Sequence, residues 1–340
     1  MRFVTFLTKN SKTPLPGLHT GTMGSGTIVD LPAACGAIGA KVPADILEIV
    51  SNAETYLPIC QKILNLHSKN EISKDALHPE NSVTLLAPIP RPLSMRDGYA
   101  FRQHVEAARR NRGVPMIPEF DNFPIFYFTN HLAVSGPGVI AVEEQAREKL
   151  DFELEAAIVT CKAGKNIPLE KADEYIFGYM IMNDWSARAL QMEEMKLNLG
   201  PAKGKDFSTG LGPYLVTRDE LAPKAITSPK GERFDLRMKG FVNGKQVSDG
   251  NMKDMTWTFA QILERVSYGV QVYPGEVIGS GTVGTGCFLE LNGSKITDNQ
   301  WLKPGDEVVM EIEGLGRLVN RIEAAPAGAK LSTGPLPGSK

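Results

Sequence analysis

The chain has 340 residues, 42% of them hydrophobic and 22% charged, which excludes both a mini-protein and a disordered segment. Its 37 Lys and Arg against 39 Asp and Glu give a formal net charge of −2. That leaves no overall cationic field to hold a phosphate backbone, so nucleic acid is not expected as a partner. The 33 Gly and 23 Pro are about 16% of the chain, against a usual total of roughly 12%. Many turns and short strands follow, and the expected fold class is α+β and β-rich, in one large or two modest domains.

The opening MRFVTFLTKN alternates apolar and polar residues like a strand and lacks the apolar core of a secretory signal. Turn signals follow (PLPG, GTMGSG), then a helix expected over 44–66. In VTLLAPIPRPLSMRDG three prolines succeed an apolar strand, and a domain boundary is placed at 82–86. Beyond it the pattern predicts a helix over 95–112, strands at 125–129 and 152–161, and an apolar run at 176–182 leading into a helix. YPGEVIGSGTVG and KPGDEVVMEIEG are each a Pro-Gly turn feeding a strand, which suggests a rolled or barrel-like sheet. The tail AAPAGAKLSTGPLPGSK is small and polar with repeated prolines and is expected to be loosely ordered.

Cys35, Cys60, Cys161 and Cys287 are widely spread, with no CxxC pair, which fits a reducing cytoplasm rather than a disulfide framework. No apolar run approaches the ~20 residues of a membrane helix, so a soluble protein with no membrane partner is expected.

Glu153 and Glu155 in LDFELEAAIVTC carry the most information. Residues two apart on a strand share a face, so two like charges would stand side by side. A lone pair of this kind is most often a solvated strand face, but AAIVTC is apolar enough for burial on both sides, where an unpaired carboxylate is costly. Asp184 begins DWSARALQ, where a helix would put Asp184, Arg188 and Gln191 on one face. Asp97 opens DGYAFRQH, with His104 two helical turns later on the same face. Together Asp97, Glu153, Glu155 and Asp184 are an all-oxygen donor set suited to a hard divalent cation (Mg²⁺, Ca²⁺ or Mn²⁺), although pattern alone does not bring them together.

DGYAFRQH, LDFELE, MNDWSARALQ, LGPAKGKDFSTGLGPYLV and GSGTVGTGCFLEL, in that order, resemble the fumarylacetoacetate hydrolase family, closest to its fumarylacetoacetase branch. The resemblance covers about 86–322 and implies a small N-terminal β domain (1–85), a mixed β-roll catalytic domain (86–325), a flexible tail (326–340) and a homodimer. It implies Asp97, Glu153, Glu155 and Asp184 as cation ligands and His104 as general base, oriented by Glu290. It implies Arg188, Gln191 and Lys205 as oxyanion donors and Tyr99, Gln191 and Thr282 as substrate contacts, with Lys205 and Thr209 near a second cation. The chain departs from the branch after DWSARALQ, where Met195 or Lys196 stands in place of a tyrosine. Arg109, Arg110, Arg112 and Tyr127 are candidates for the arginine and second tyrosine that follow the QH motif.

The implied activity is hydrolysis of a carbon–carbon bond in a 1,3-diketo acid such as fumarylacetoacetate or an acylpyruvate, in aromatic compound catabolism. The alternatives are an oxo-acid decarboxylase, hydratase or isomerase of the same superfamily, or a non-catalytic dicarboxylate-binding member. A nicotinamide enzyme is disfavoured because GSGTVGTG is expected to lead into a strand, not a helix.

Overall fold

The structure is a computed structural model describing residues 1–9 and 11–326, so the expectation for the tail lies almost entirely outside the described residues. At its centre, Leu154–Thr160 is buried at every position and pairs with the equally buried Ile176–Asp184. Strands apolar on both faces need cover on both. Ala156, Ile158, Tyr179 and Ile181 face a core shared with Met238, Val308, Met310 and Leu318. Ala157, Val159, Met180 and Met182 face a second core, filled by Ile46, Ile49, Tyr56 and Ile63.

These two strands lie in a large sheet ordered Leu77–Pro79, Thr27–Asp30, Leu15–Thr20, Arg2–Leu7, Leu215–Thr217, Ile176–Asp184, Leu154–Thr160, Val277–Gly279, Met95–Gly98 and Phe126–Phe128. A five-stranded sheet runs Lys245–Asn251, Arg237–Val242, Glu307–Ile312, Gly316–Ala324 and Gly138–Val142. The α+β, β-rich class holds. A closed barrel does not form among the described residues: the N-terminal strands extend the large sheet outward from Leu215–Thr217 instead of returning to its other edge.

Two helical expectations change in detail. Residues 44–66 form two helices, Ile46–Ser51 and Ala53–Ser68, broken at Asn52, where φ −129° and ψ 44° depart from the helical region. Residues 95–112 are not one helix. Met95–Asp97 pair in parallel with Val277–Gly279, and Arg96–Gly98 pair antiparallel with Phe126–Phe128, so the helix starts only at Arg102. These pairings are distant in sequence and override the local pattern. No helix among the described residues is long and apolar enough to cross a membrane.

Glu80 joins the N-terminal strands to the rest. Its buried carboxylate accepts from the Tyr214 hydroxyl and from the Gly26 amide at 3.1 Å, and meets His19 Nε2 at 3.1 Å. Burial alone would raise its pKa, but His19 and Tyr214 outweigh that and hold it below the usual range. A depressed carboxylate contributes stability above its unfolded pKa that is lost as pH falls through the folded one. Glu80→Ala strands these donors and is expected to lower stability by about 3 kcal/mol in urea unfolding at neutral pH. Glu80→Gln should approach wild type as pH falls; an unchanged urea midpoint for Glu80→Ala would refute this role.

Candidate active site

At one end of the central strand pair, Asp97, Glu155 and Asp184 each bring a carboxylate oxygen to within 4.8 Å of the others. Asp97 sits on Met95–Gly98, Glu155 on Leu154–Thr160 and Asp184 at the end of Ile176–Asp184. Two glycines make room. A Cβ on Gly279 would lie 2.3 Å from Asp97 Oδ1, and Gly281, at φ +76°, donates its amide to the same oxygen at 3.0 Å.

Glu155 Oε2 and Asp184 Oδ1 are buried without a hydrogen-bond partner, so each has a lone pair to offer a cation. Burial, and then the Asp184 charge, pushes Asp97 up to about 7. Burial and the Asp97 charge push Glu155 well above the usual range. Three acidic oxygen donors that resist ionisation when crowded together fit a hard divalent cation.

Glu153, also expected among the ligands, is placed differently. Arg188 Nη2 donates to its Oε1 at 2.7 Å and Lys205 Nζ to its Oε2. Burial would raise its pKa, yet Lys205 and then Arg188 prevail and keep it strongly acidic. Lys205 Nζ also donates to Asp184 Oδ2 at 2.7 Å, and the Tyr127 hydroxyl donates to that same oxygen. Tyr127, one of four candidates for the missing tyrosine and arginine, is therefore on the carboxylate cluster. Arg109 instead donates to the Pro115 carbonyl at 2.9 Å.

His104 Nδ1 lies 2.6 Å from Glu290 Oε2, and Glu290 Oε1 accepts from the Thr285 amide at 2.9 Å. His104, Glu153 and Cys287 again place donor atoms within 4.8 Å of one another, so the imidazole borders the carboxylate cluster. The Tyr99 ring packs edge-on to His104 at 5.8 Å, and burial pushes its hydroxyl up to about 12. Thr282 Oγ1 donates to Glu155 Oε1 at 3.2 Å. Gln191 Oε1 accepts from Arg188 Nη1 at 2.9 Å, which leaves its amide N–H groups for another partner. Thr209 is buried opposite Asp184 in the strand ladder.

Three local expectations are corrected. Asp97 and His104 do not share a helix face. Asp184 ends a strand, and the helix begins at Arg188, which pairs with Asp151 and Glu153 rather than with Asp184. GSGTVGTG runs into the helix Phe288–Gly293, because the Asp151 carboxylate from a distant strand accepts the Phe288 and Leu289 amides at 2.7 and 3.0 Å. Asp151 escaped the sequence reading, which also counted Cys287 among the cysteines without placing it beside His104 and Glu153. The available signal for Asp151 was its place as the first of three acids at i, i+2 and i+4 in LDFELE.

Buried carboxylates around a histidine–glutamate pair, on a mixed α+β scaffold, define an enzyme site. The chain belongs to the fumarylacetoacetate hydrolase family: the family model described as "Fumarylacetoacetate (FAA) hydrolase C-terminal" matches residues 94–323. It is 31% identical over 311 residues to a fumarylacetoacetase of Oryza sativa subsp. japonica, covering 74% of this chain and 71% of that protein. It is 29% identical over 326 residues to a mitochondrial oxaloacetate tautomerase of Rattus norvegicus, covering 95% and 91%. Among solved structures, a fumarylacetoacetate hydrolase from Exiguobacterium antarcticum aligns with TM-score 0.68 and 24% identity, covering 95% of this chain and 99% of that one. A fumarylpyruvate hydrolase from Pseudomonas aeruginosa, in complex with Mn²⁺ and pyruvate, aligns with TM-score 0.54 and 20% identity, covering 70% and 91%.

The carboxylate cluster makes stability depend on pH and cation together. Asp97 ionises near 3.9 in an unfolded chain but only at about 7 in the fold. The folded state binds more protons across that window, so this contribution is full below about pH 4 and is lost as pH rises through about 7. A divalent cation bound there would replace those protons. Added Mg²⁺ or Mn²⁺ is expected to raise Tm more at about pH 8 than at about pH 5; equal shifts, or none, in a thermal scan would remove the cluster as a cation site.

Proposed function

We propose that this protein is a divalent-cation-dependent hydrolase that cleaves a carbon–carbon bond of a 1,3-diketo acid of the fumarylacetoacetate or acylpyruvate type. The observation that carries the reading is the 2.6 Å His104–Glu290 contact at the edge of three converging carboxylates. Asp97, Glu155 and Asp184 would hold the cation, which when bound supplies Lewis acidity toward substrate oxygens and lowers the basicity of the departing carbon. The Mn²⁺ in the fumarylpyruvate hydrolase structure supports a cation of this class.

Glu290, itself fixed by the Thr285 amide, holds His104 through Nδ1 and leaves Nε2 to take a proton from water. The resulting hydroxide attacks the carbonyl, and the protonated imidazole then returns its proton to the departing carbon. Lys205 uses two of its three N–H donors on Glu153 and Asp184, so the third can meet the developing oxyanion. Gln191, with its oxygen pinned by Arg188, presents N–H groups for the same purpose. Thr282 and Tyr99 border the space left for substrate. Breakdown of aromatic rings, which generates 1,3-diketo acids, suits an enzyme of this kind.

A second reading is favoured by the extent of likeness to the oxaloacetate tautomerase, which covers 95% of the chain. The same imidazole could move a proton between carbon and oxygen of an oxo acid. Purified protein loaded with Mn²⁺ should hydrolyse fumarylacetoacetate or an acylpyruvate. His104→Ala should lower that turnover by roughly 10²–10⁴ while calorimetry shows cation binding intact. Full activity in His104→Ala removes the general base, and enol–keto conversion of oxaloacetate with no diketo acid cleaved replaces the hydrolase by the tautomerase.

A further inference from the structure

We propose that Asp151 is a positioning residue that holds the two halves of this site in register; the inference rests on the hydrolase reading only for its activity readout. Asp151 is fully buried, on the short strand Leu150–Asp151, where it pairs with Ser186. Its Oδ1 accepts from the Phe152 and Phe288 amides at 2.9 and 2.7 Å. Its Oδ2 accepts from the Leu289 amide at 3.0 Å and from Arg188 Nε at 2.9 Å.

Those donors belong to different parts of the site. Phe288 and Leu289 open the helix that carries Glu290, the residue that orients His104. Arg188 opens the helix that carries Gln191, and it holds both Gln191 and Glu153. Neither helix has a side-chain cap from its own N-cap residue, Cys287 or Ala187. The first amides of a helix lack internal partners, so at Phe288 and Leu289 Asp151 supplies what the local sequence does not. One carboxylate thus fixes the distance between the proton-accepting imidazole and the oxyanion donors. An asparagine cannot do the same, since it accepts at one oxygen and its NH₂ would face a donor.

The test uses the full chain, loaded with Mn²⁺ for turnover and with diamagnetic Mg²⁺ for NMR. Asp151→Asn should lower kcat about 10- to 100-fold with KM within about twofold, the signature of lost alignment rather than lost binding. The downfield imidazole N–H proton of His104 in the ¹H NMR spectrum should shift or broaden in this variant. Added to Glu290→Gln, Asp151→Asn should lower kcat further by less than it does alone, because the path through Glu290 is already broken and only the path through Arg188 and Gln191 remains. Wild-type kcat with an unmoved resonance, a loss confined to KM, or full additivity in the double variant would overturn the proposal. Asp151→Glu, which keeps the charge but displaces it, is read by the same two measurements should the asparagine variant not fold. If wild type cleaves no diketo acid, the hydrolase reading falls while the imidazole resonance still tests Asp151.

Discussion

Burial of like charge is the constraint on which this structure depends. Apart from the His104–Glu290 pair, five carboxylates (Asp97, Asp151, Glu153, Glu155 and Asp184) are buried around two cations, Arg188 and Lys205. Carboxylates left unpaired in such surroundings are costly, so the arrangement must be offset. It is offset unevenly. Glu153, between Arg188 and Lys205, is held strongly acidic, while burial and the Asp184 charge push Asp97 up to about 7, and burial and the Asp97 charge push Glu155 well above the usual range. The protein thereby separates a compensated carboxylate, which fixes two basic side chains, from less compensated ones, Asp97 and Glu155.

The scaffold explains how such a cluster can be held without collapsing. Asp97, Glu155 and Asp184 stand on strands whose backbone hydrogen bonds are satisfied by neighbours on either side, and whose apolar faces are covered by two separate cores. Acids on flexible loops would move apart or recruit water. Here Gly279 lets the Asp97 carboxylate approach backbone closely, which a larger residue would prevent, and a Cβ at Gly281 would meet the Gly98 carbonyl oxygen at 2.7 Å. Rigid strands on one side meet two short helices on the other, Arg188–Glu194 and Phe288–Gly293, so the geometry of the site is largely that of the contact between them.

Much of this was legible from residue types and order. The period-two acids of LDFELE, followed by an apolar run, announced buried carboxylates, and the motif order named His104, Glu290, Arg188 and Lys205, which the fold brings together. Strand or helix was not legible where partners distant in sequence decide it. DGYAFRQH looks helical throughout, yet pairing with Val277–Gly279 makes its first part a strand. GSGTVGTGCFLEL gives no sign of a helix start because the group that caps it lies about 137 residues earlier, at Asp151. Glu153 shows the same limit from another side: its spacing from Glu155 is correct for a shared face, but which acid would be paired depended on where Arg188 and Lys205 arrive.

The two activities proposed for this site differ less than their names suggest. With Nδ1 committed to Glu290, His104 can exchange a proton only through Nε2, and both hydrolysis and tautomerisation begin with such an exchange. What separates them is whether the proton comes from water or from substrate carbon, and hence how much room lies beside that nitrogen. Tyr99, edge-on at 5.8 Å, and Cys287, whose sulfur is within 4.8 Å of a His104 ring nitrogen, are neighbours of the imidazole. Neither needs to react. A water seated against the imidazole would be oriented for attack by the same walls that, if closer, would admit only the substrate, so under the proposed function the choice of reaction would be set by the residues around the proton acceptor rather than by the acceptor itself.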